Sequence, residues 1–238
     1  MESTNGIVAG EEDLHTALTF LELTTVHYKN DDPYGWINAY ITLIPIAIAI
    51  GVLTLILFKR EVRTIAVFMG LLFSETCNYI LKKSIKENRP SYWKELKKQS
   101  YGMPSSHSQF MFFFAVLMTL FILKHRIRIK NRLIQLALII GLYVLALFVA
   151  YSRVHLFYHT TKQVVFGSFT GIILGAFWFV VVENILRPYI FPFFINHPIG
   201  KFFYLRDSSD IENLLEFEYY NVINAQSKKN NKNNKKKE

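Results

Sequence analysis

The sequence predicts an all-α fold, a polytopic membrane bundle of about five transmembrane helices. Hydrophobic residues make up 51% of the 238 positions, although the chain carries a formal net charge of +9. The apolar residues are collected in long runs, and most of the charges lie between those runs. A run of about 20 apolar residues is sufficient to cross a bilayer as a helix. The pattern is therefore that of membrane spans joined by charged loops.

Five apolar runs define the predicted spans, at residues 36–58, 64–81, 108–123, 133–151 and 164–182. In the last run, glycine recurs at four-residue spacing, at Gly167, Gly171 and Gly175. Small residues at this period let two membrane helices approach closely, so the run predicts a tight helix contact. The alternative explanation is the ordinary tolerance of membrane helices for glycine.

The spans define a transmembrane domain at 34–187 with three flanking regions. Residues 1–33 are polar, and leucines at helical spacing within them predict an amphipathic helix on the membrane surface, with a partly ordered tail as the alternative. Residues 188–225 begin with an aromatic stretch broken by prolines, which predicts an interfacial segment. Residues 226–238 are an Asn/Lys tract, whose composition is typical of disorder.

Targeting signals are sparse in this sequence. Lys235 and Lys236 stand where a dilysine signal for retrieval to the endoplasmic reticulum has its lysines, with a merely solvated tail as the alternative. Such a signal is read in the cytosol. The acidic start predicts no cleavable signal peptide.

Cys77 is the single cysteine, so no disulfide framework is expected. The aromatic residues lie inside the apolar runs, so the basic charge does not indicate nucleic-acid binding.

Three stretches between the spans carry residues suited to chemistry. They read KKSIKENRP at 82–90, PSSH at 104–107 and SRVHLFYHTTKQ at 152–163. Two crossings separate the loop that holds the first two from the loop that holds the third, so all three are predicted to lie on one side of the membrane. Short basic connectors follow the first and third spans on the other side, which the positive-inside rule makes cytosolic. The three stretches then face the lumen, although the loop at 82–98 is itself basic.

The cations in these stretches suit the binding of phosphate. Lys82, Arg89 and Arg153 can neutralise phosphate oxygens, and an arginine can contact two of them at once. A transferring phosphoryl group spreads negative charge over its peripheral oxygens, so catalysis is mostly positioning and charge stabilisation. No cluster of acidic residues predicts a magnesium site. We therefore expect the three cations to supply this charge, with no metal or other cofactor.

A predicted helix start adds further groups for an anion. Pro104 precedes Ser105 and Ser106, and Ser106 has capping-box spacing to Gln109. Backbone N–H groups at a helix start, together with the Ser105 hydroxyl, can form a cradle for an anion.

Two histidines can divide the chemical work. His159 is the candidate nucleophile, which would attack phosphorus and form a phosphohistidine. His107, at the helix start, is the candidate acid that protonates the leaving oxygen and then activates water. Gln163 lies four residues after His159, so its side-chain oxygen can accept the ring N–H and fix the tautomer. His155 and His159 also have metal-ligand spacing, but no third ligand is evident in the sequence.

Two polar residues inside the second span suggest a supporting layer. Glu75, Asn78 and Lys82 fall on one helix face, and polar groups are costly inside a membrane. Our hypothesis is that Glu75 and Asn78 orient Lys82. The alternative is a polar pair whose hydrogen bonds are made to a neighbouring helix.

Together these residues resemble the three-part signature of the phosphatidic acid phosphatase type 2 superfamily. The signature is Lys82 with Arg89-Pro90, then the PSSH stretch, then Ser152-Arg153 with His159. The resemblance implies a helical-bundle phosphatase with His159 as nucleophile and His107 as acid and base. It also implies metal-independent binding of phosphate by a set of six side chains: Lys82, Arg89, Ser105, Ser106, His107 and Arg153.

The sequence departs from the superfamily pattern at two positions. Ser106 replaces a usual glycine, which hinders backbone approach to phosphate slightly. Gln163 replaces a usual aspartate, and a neutral partner can orient His159 but cannot offset its positive charge. A diphosphate demands less of such a nucleophile than a monoester does, because its leaving group is itself a phosphate.

Within the superfamily, YGMPSSHSQFM and YSRVHLFYHTTKQV resemble the polyisoprenyl diphosphate phosphatases. This implies hydrolysis of dolichyl diphosphate to dolichyl phosphate at the lumenal face of the endoplasmic reticulum, which recycles the lipid carrier for protein N-glycosylation. The expected partners are that lipid substrate and the membrane. Two alternatives are a broad lipid phosphate phosphatase, acting on phosphatidate or sphingoid phosphates, and an inactive lipid-binding protein.

Overall fold

The computed structural model describes residues 26–29, 31–90, 101–124, 131–209, 211 and 214–234. In these residues the regular backbone is helical apart from isolated bridges. The helices that build the bundle are α1 (Gly35–Thr42), α2 (Ile44–Lys59), α3 (Val62–Ile85), α4 (Ser106–Lys124), α5 (Arg132–His155) and α6 (Thr161–Val181). A π-helical segment (Val182–Ile190) continues α6, and α7 (Phe191–Asn196), α8 (Pro198–Phe202) and α9 (Leu214–Asn234) follow.

The prediction of an all-α bundle with five spans is confirmed. Five stretches are long and apolar enough to cross a bilayer, at Gly35–Lys59, Val62–Ile85, Ser106–Lys124, Arg132–His155 and Thr161–Asn196. Each contains one predicted span and extends beyond it, because helical turns continue into the polar residues that flank the apolar run. The chain is therefore a multi-pass membrane protein.

Helix α4 is the centre of the bundle. Its side chains at Met111, Phe113 and Leu117 are at most 1% exposed. It packs against α6 most extensively and also contacts α5 and α3. By contrast, α2 and α5 expose many large apolar side chains, as helices that face lipid do.

The tight helix contact predicted from the glycine spacing is present between α6 and α4. All three glycines are buried against the backbone of α4. A Cβ atom added at Gly167 would lie 2.6 Å from the Ser105 carbonyl oxygen, and one at Gly175 would lie 2.8 Å from that of Phe113. A Cβ atom at Gly171 would lie still closer to the backbone carbonyl oxygen of Gln109. Backbone therefore meets backbone along this seam, which only glycine permits.

The polypeptide after α6, part of which was predicted to be an interfacial segment, is helical up to Asn196. The helix continues as a π-helical segment that contains Pro188 and leads into α7. Proline removes one backbone hydrogen bond and crowds the preceding turn, and the wider π-helical turn accommodates both effects.

The two ends of the chain were predicted from composition alone. The amphipathic helix expected around Leu14, Leu18 and Leu21 lies outside the described residues, as do Lys235 and Lys236. Where disorder was expected from residue 226, the structure continues α9 to Asn234. A helix that has already formed extends at little cost per added residue.

Candidate active site

The three signature stretches meet at one end of the bundle. Lys82 lies in the last turn of α3, and Arg153 lies in the last turn of α5. The PSSH stretch leads into α4, and the loop before α6 carries His159. A backbone bridge between Asn88 and Tyr101 joins the loop after α3 that carries Arg89, here called the arginine loop, to the residues just before the PSSH stretch. The three stretches therefore lie at the same end of the bundle, as the even number of crossings between them predicted.

His159 is held by Gln163. The ring is 2% exposed, and its Nδ1 lies 3.2 Å from Gln163 Oε1. Thr160 caps α6, and its backbone N–H donates to the same Oε1 at 3.3 Å. The Gln163 amide NH2 donates to Glu87 Oε1 at 3.0 Å and to the Asn88 carbonyl at 2.8 Å. The fully buried Gln163 amide thus joins the loop that carries His159 to the arginine loop.

Arg153 is buried but has no carboxylate partner among the described residues. One of its terminal nitrogens donates to Thr42 Oγ1 at 2.8 Å, and the guanidinium carbon lies 4.2 Å from the centre of the Tyr158 ring. Its backbone carbonyl accepts the N–H groups of Tyr158 and His159, both at 3.1 Å. The guanidinium therefore has a fixed orientation and keeps its charge for a ligand.

The three predicted cations act together on His159. Burial lowers the pKa of His159 well below its ordinary 6.5, and the charges of Arg153, Arg89 and Lys82 lower it further, in that order. His159 is therefore neutral at physiological pH, as a nucleophile must be. Cations of like sign are costly to gather in a partly buried space, so this arrangement suits an anionic ligand.

The start of α4 differs in part from the predicted anion cradle. Ser106 is the first helical residue, so the capping box that pairs it with Gln109 is wrong. The Gln109 side chain instead donates to Ser74 and accepts from Asn78, because the buried polar groups of α3 require partners. The Ser105 N–H donates to the Gln163 carbonyl at 3.1 Å and is not available to an anion.

Other groups at this helix start are suited to an anion. Ser105 Oγ accepts from Ser108 Oγ at 3.2 Å, which leaves its own hydroxyl hydrogen to donate. Ser106 and His107 are partly exposed in the first turn, where backbone N–H groups lack intrahelical acceptors.

The polar pair in α3 does not act on Lys82 as a unit. Asn78 donates to Gln109 Oε1 at 2.8 Å and to the Pro104 carbonyl at 3.4 Å, so its contacts are with the PSSH stretch rather than with Lys82. Glu75 is exposed, and its charge attracts that of Lys82. The orienting role proposed for Asn78 is therefore replaced by a role in holding the start of α4.

His155 joins the N-terminal segment to α5. Its Nε2 lies 2.7 Å from Asp32 Oδ2, and its Nδ1 lies 3.3 Å from the Tyr151 hydroxyl. Within the described ranges, no three His, Cys, Asp or Glu side chains come together as metal ligands.

Sequence reasoning missed several residues that support the site. Thr42 and Tyr158 hold Arg153, and Glu87 contacts Gln163. The hydroxyl of Thr42 inside the first apolar run is a signal that could have identified it, since polar groups in spans require partners.

The fold and this site define a class: a multi-pass helical membrane protein with a buried histidine beside three cationic side chains at one end of the bundle. The PAP2 superfamily model matches residues 63–187. The chain belongs to the PAP2 superfamily.

Individual relatives agree with this assignment. The chain is 70% identical over 214 residues to dolichyldiphosphatase 1 of Dictyostelium discoideum, covering 90% of this chain and 93% of that one. It is 41% identical over 203 residues to dolichyldiphosphatase 1 of Homo sapiens, covering 83% and 85%. A PAP2-type phosphatidylglycerolphosphate phosphatase from Bacillus subtilis has the same fold, with a TM-score of 0.54, 20% identity and coverage of 78% of this chain and 90% of that one.

Proposed function

We propose that this protein hydrolyses dolichyl diphosphate to dolichyl phosphate and inorganic phosphate through a phosphohistidine at His159. The observation that carries the proposal is the fixed, neutral His159 beside three cations. Its relatives named dolichyldiphosphatase 1 support this choice of substrate.

In the first step, the His159 Nε2 lone pair forms a bond to the terminal phosphorus. The bond from that phosphorus to the bridging oxygen breaks, and its electron pair leaves with dolichyl phosphate. His107, in its protonated form, donates a proton to the departing oxygen. Lys82, Arg89 and Arg153 stabilise the charge on the peripheral oxygens, with the Ser105 hydroxyl and the first turn of α4 as further donors.

In the second step, water replaces the histidine on phosphorus. His107, now neutral, accepts a proton from the attacking water, and the water oxygen forms its bond to phosphorus. The phosphorus–nitrogen bond breaks, its electrons return to Nε2, and inorganic phosphate leaves. Both histidines then have their starting protonation.

We further propose that the site faces the lumen of the endoplasmic reticulum and recycles the lipid carrier for protein N-glycosylation. The basic connectors at the other end of the bundle and the lysine-rich tail support this orientation, because both favour the cytosolic side. Protease protection of the tail in sealed microsomes tests it. Cleavage of the tail in intact vesicles is expected, and protection would reverse the orientation.

The substrate is tested by phosphate release from purified protein in detergent. Dolichyl diphosphate, dolichyl phosphate and phosphatidate are compared, each with excess chelator and with His159→Ala as the control. We expect chelator-resistant release from the diphosphate, abolished in the variant. Loss of activity with chelator would reveal a metal requirement, and no release from any substrate would favour an inactive lipid-binding protein.

A broader lipid phosphate phosphatase is the second candidate. The chain is 38% identical over 210 residues to lipid phosphate phosphatase gamma of Arabidopsis thaliana, which favours this alternative. Equal rates on phosphatidate and on the diphosphate would establish it.

A further inference from the structure

Glu87 lies in the arginine loop, beside the catalytic groups but outside the mechanism described above. Its Oε1 accepts from the Gln163 amide at 3.0 Å, and its Oε2 accepts from Lys162 Nζ at 3.0 Å. Its backbone carbonyl accepts the Gly102 N–H at 2.7 Å. The Glu87 carboxylate is therefore held by Gln163 and Lys162, and its backbone is held by Gly102.

The partners of Gln163 determine which way its amide points. The Glu87 carboxylate and the Asn88 carbonyl can only accept, so the NH2 group must face them. The Thr160 N–H can only donate, so Oε1 must face it. The same Oε1 lies beside His159 Nδ1, which must then carry the ring proton. Nε2 is left with the free lone pair.

A continuous chain of hydrogen bonds therefore runs from a carboxylate to the nucleophile. It begins at Glu87, passes through the Gln163 amide and ends at His159 Nδ1–H. Both bonds run in the same sense, so each polarises the other. When Nε2 bonds to phosphorus, the ring becomes positively charged, and a neutral amide alone cannot offset that charge.

We propose that Glu87 is a positioning residue that stabilises the charged His159 ring through Gln163, so that two residues perform the task of the aspartate usual in the superfamily. This inference rests on the proposed phosphohistidine mechanism. Hydrogen bonds from Gln163 first and from Lys162 second hold the pKa of Glu87 below its usual value, so Glu87 is ionised at neutral pH. The cations that face the ring are Arg153, Arg89 and Lys82.

A simpler explanation is that Glu87 only anchors the loop through its exposed ion pair with Lys162. Such pairs contribute little to stability, since Lys162 is 73% exposed. Lys162→Met removes that pair and leaves the hydrogen-bond chain intact, so it is the matched control. Glu87→Gln retains the shape and a hydrogen-bond acceptor but removes the charge.

The first test is kinetic and uses the full-length protein. Glu87→Gln should lower kcat about tenfold, as does removal of a group that orients a catalytic histidine, with little change in KM. Gln163→Asp alone should also lower kcat, because two carboxylates then face each other. The double variant carries a single charge directly beside His159 and should exceed either single variant. Two outcomes would overturn the proposal. In one, the double variant shows a fall in kcat equal to the combined falls of the two single variants; in the other, the kcat of Glu87→Gln equals that of Lys162→Met.

The second test does not depend on which phosphate ester is hydrolysed. Nitrogen-15 NMR of labelled histidine reports the tautomer and titration of His159 in the wild type and in Glu87→Gln. Loss of the nearby negative charge should move the titration to lower pH, whereas Lys162→Met should not. An unchanged titration in Glu87→Gln would refute the proposal even if the wild-type protein releases phosphate from the diphosphate as proposed. A shift to lower pH would support it even if the preferred substrate is not a diphosphate.

Discussion

Two buried arginines lie at opposite ends of the bundle and differ in whether their polar partner is charged or neutral. Arg153 and Arg63 each lie over an aromatic ring, Tyr158 and Phe121 respectively. Arg63 also pairs with the buried carboxylate of Glu183 at 3.6 Å, whereas Arg153 donates to the neutral hydroxyl of Thr42. A carboxylate cancels the charge of a cation, and a hydroxyl orients a cation without cancelling its charge. The first arrangement joins helices, and the second leaves a cation suited to the anion site that we propose.

At the end of the bundle opposite the site, Glu183 is the centre of a cluster of cations. Glu183 also accepts from Lys124 at 2.8 Å and from Arg187 at 3.4 Å, which brings cations of three helical segments to one carboxylate. The Glu183 side chain is 2% exposed. Breaking a buried ion pair leaves charges without compensation, so this cluster should affect stability more than catalysis.

The largest effect is expected from replacing Arg153 with lysine, and the same replacement at Arg63 serves as the comparison. Arg153→Lys should lower kcat/KM roughly 10³-fold, as loss of a preorganised charge-stabilising donor does, because lysine lacks the two-pronged geometry. Arg63→Lys should retain turnover per folded molecule. Phosphate release normalised to folded protein measures both variants, and near-normal turnover in Arg153→Lys would remove Arg153 from the phosphate site.

Removal of the opposite carboxylate should have the reverse profile. Glu183→Gln should destabilise the fold by about 3 kcal/mol, because three cations lose their counter-charge. Thermal unfolding in detergent should show a lower midpoint, with the turnover of folded protein unchanged. Glu183→Asp, which retains the charge, is the control. An unchanged midpoint in Glu183→Gln would contradict a structural role for the cluster.

The neutral partner of Arg153 can be tested separately. Thr42→Val keeps the shape and removes the hydroxyl, and we expect kcat/KM to fall about tenfold through loss of one charge-assisted hydrogen bond. Thr42→Ser should restore most of the activity. Equal losses in both variants would show that packing, rather than the hydroxyl, is responsible.

The smallest expected effect is a shift in pH dependence. In the proposed mechanism His159 attacks in its neutral form, and its pKa is lowered first by burial and then by the cations. The acidic limb of kcat/KM should therefore lie below the ordinary histidine range, because protonation occurs only when the pH falls through that lowered pKa. Removing one cation in Lys82→Met should move the limb towards higher pH. A limb that moves to lower pH would mean that another group titrates.

Local and non-local features differ in how far the sequence predicts them. The spans were predicted because an apolar run is a property of consecutive residues, and the signature stretches met because the crossings between them are even in number. The contact between Thr42 and Arg153 joins residues 111 positions apart and depends on how each helix is rotated about its axis. Composition does not give that rotation. The same holds for Glu183, where acidic and basic residues of distant helices meet.

The glycine seam between α4 and α6 has a consequence for membranes of different thickness. Helices that meet through side chains can slide and tilt when the hydrocarbon layer is thinner or thicker than their apolar length. Here backbone meets backbone from Gly167 to Gly175, and the helices that carry His107 and Gln163 cannot shift without collision. We therefore expect mismatch with the bilayer to be taken up by the lipid-facing helices, and the spacing of the candidate catalytic groups to stay constant from one membrane to another.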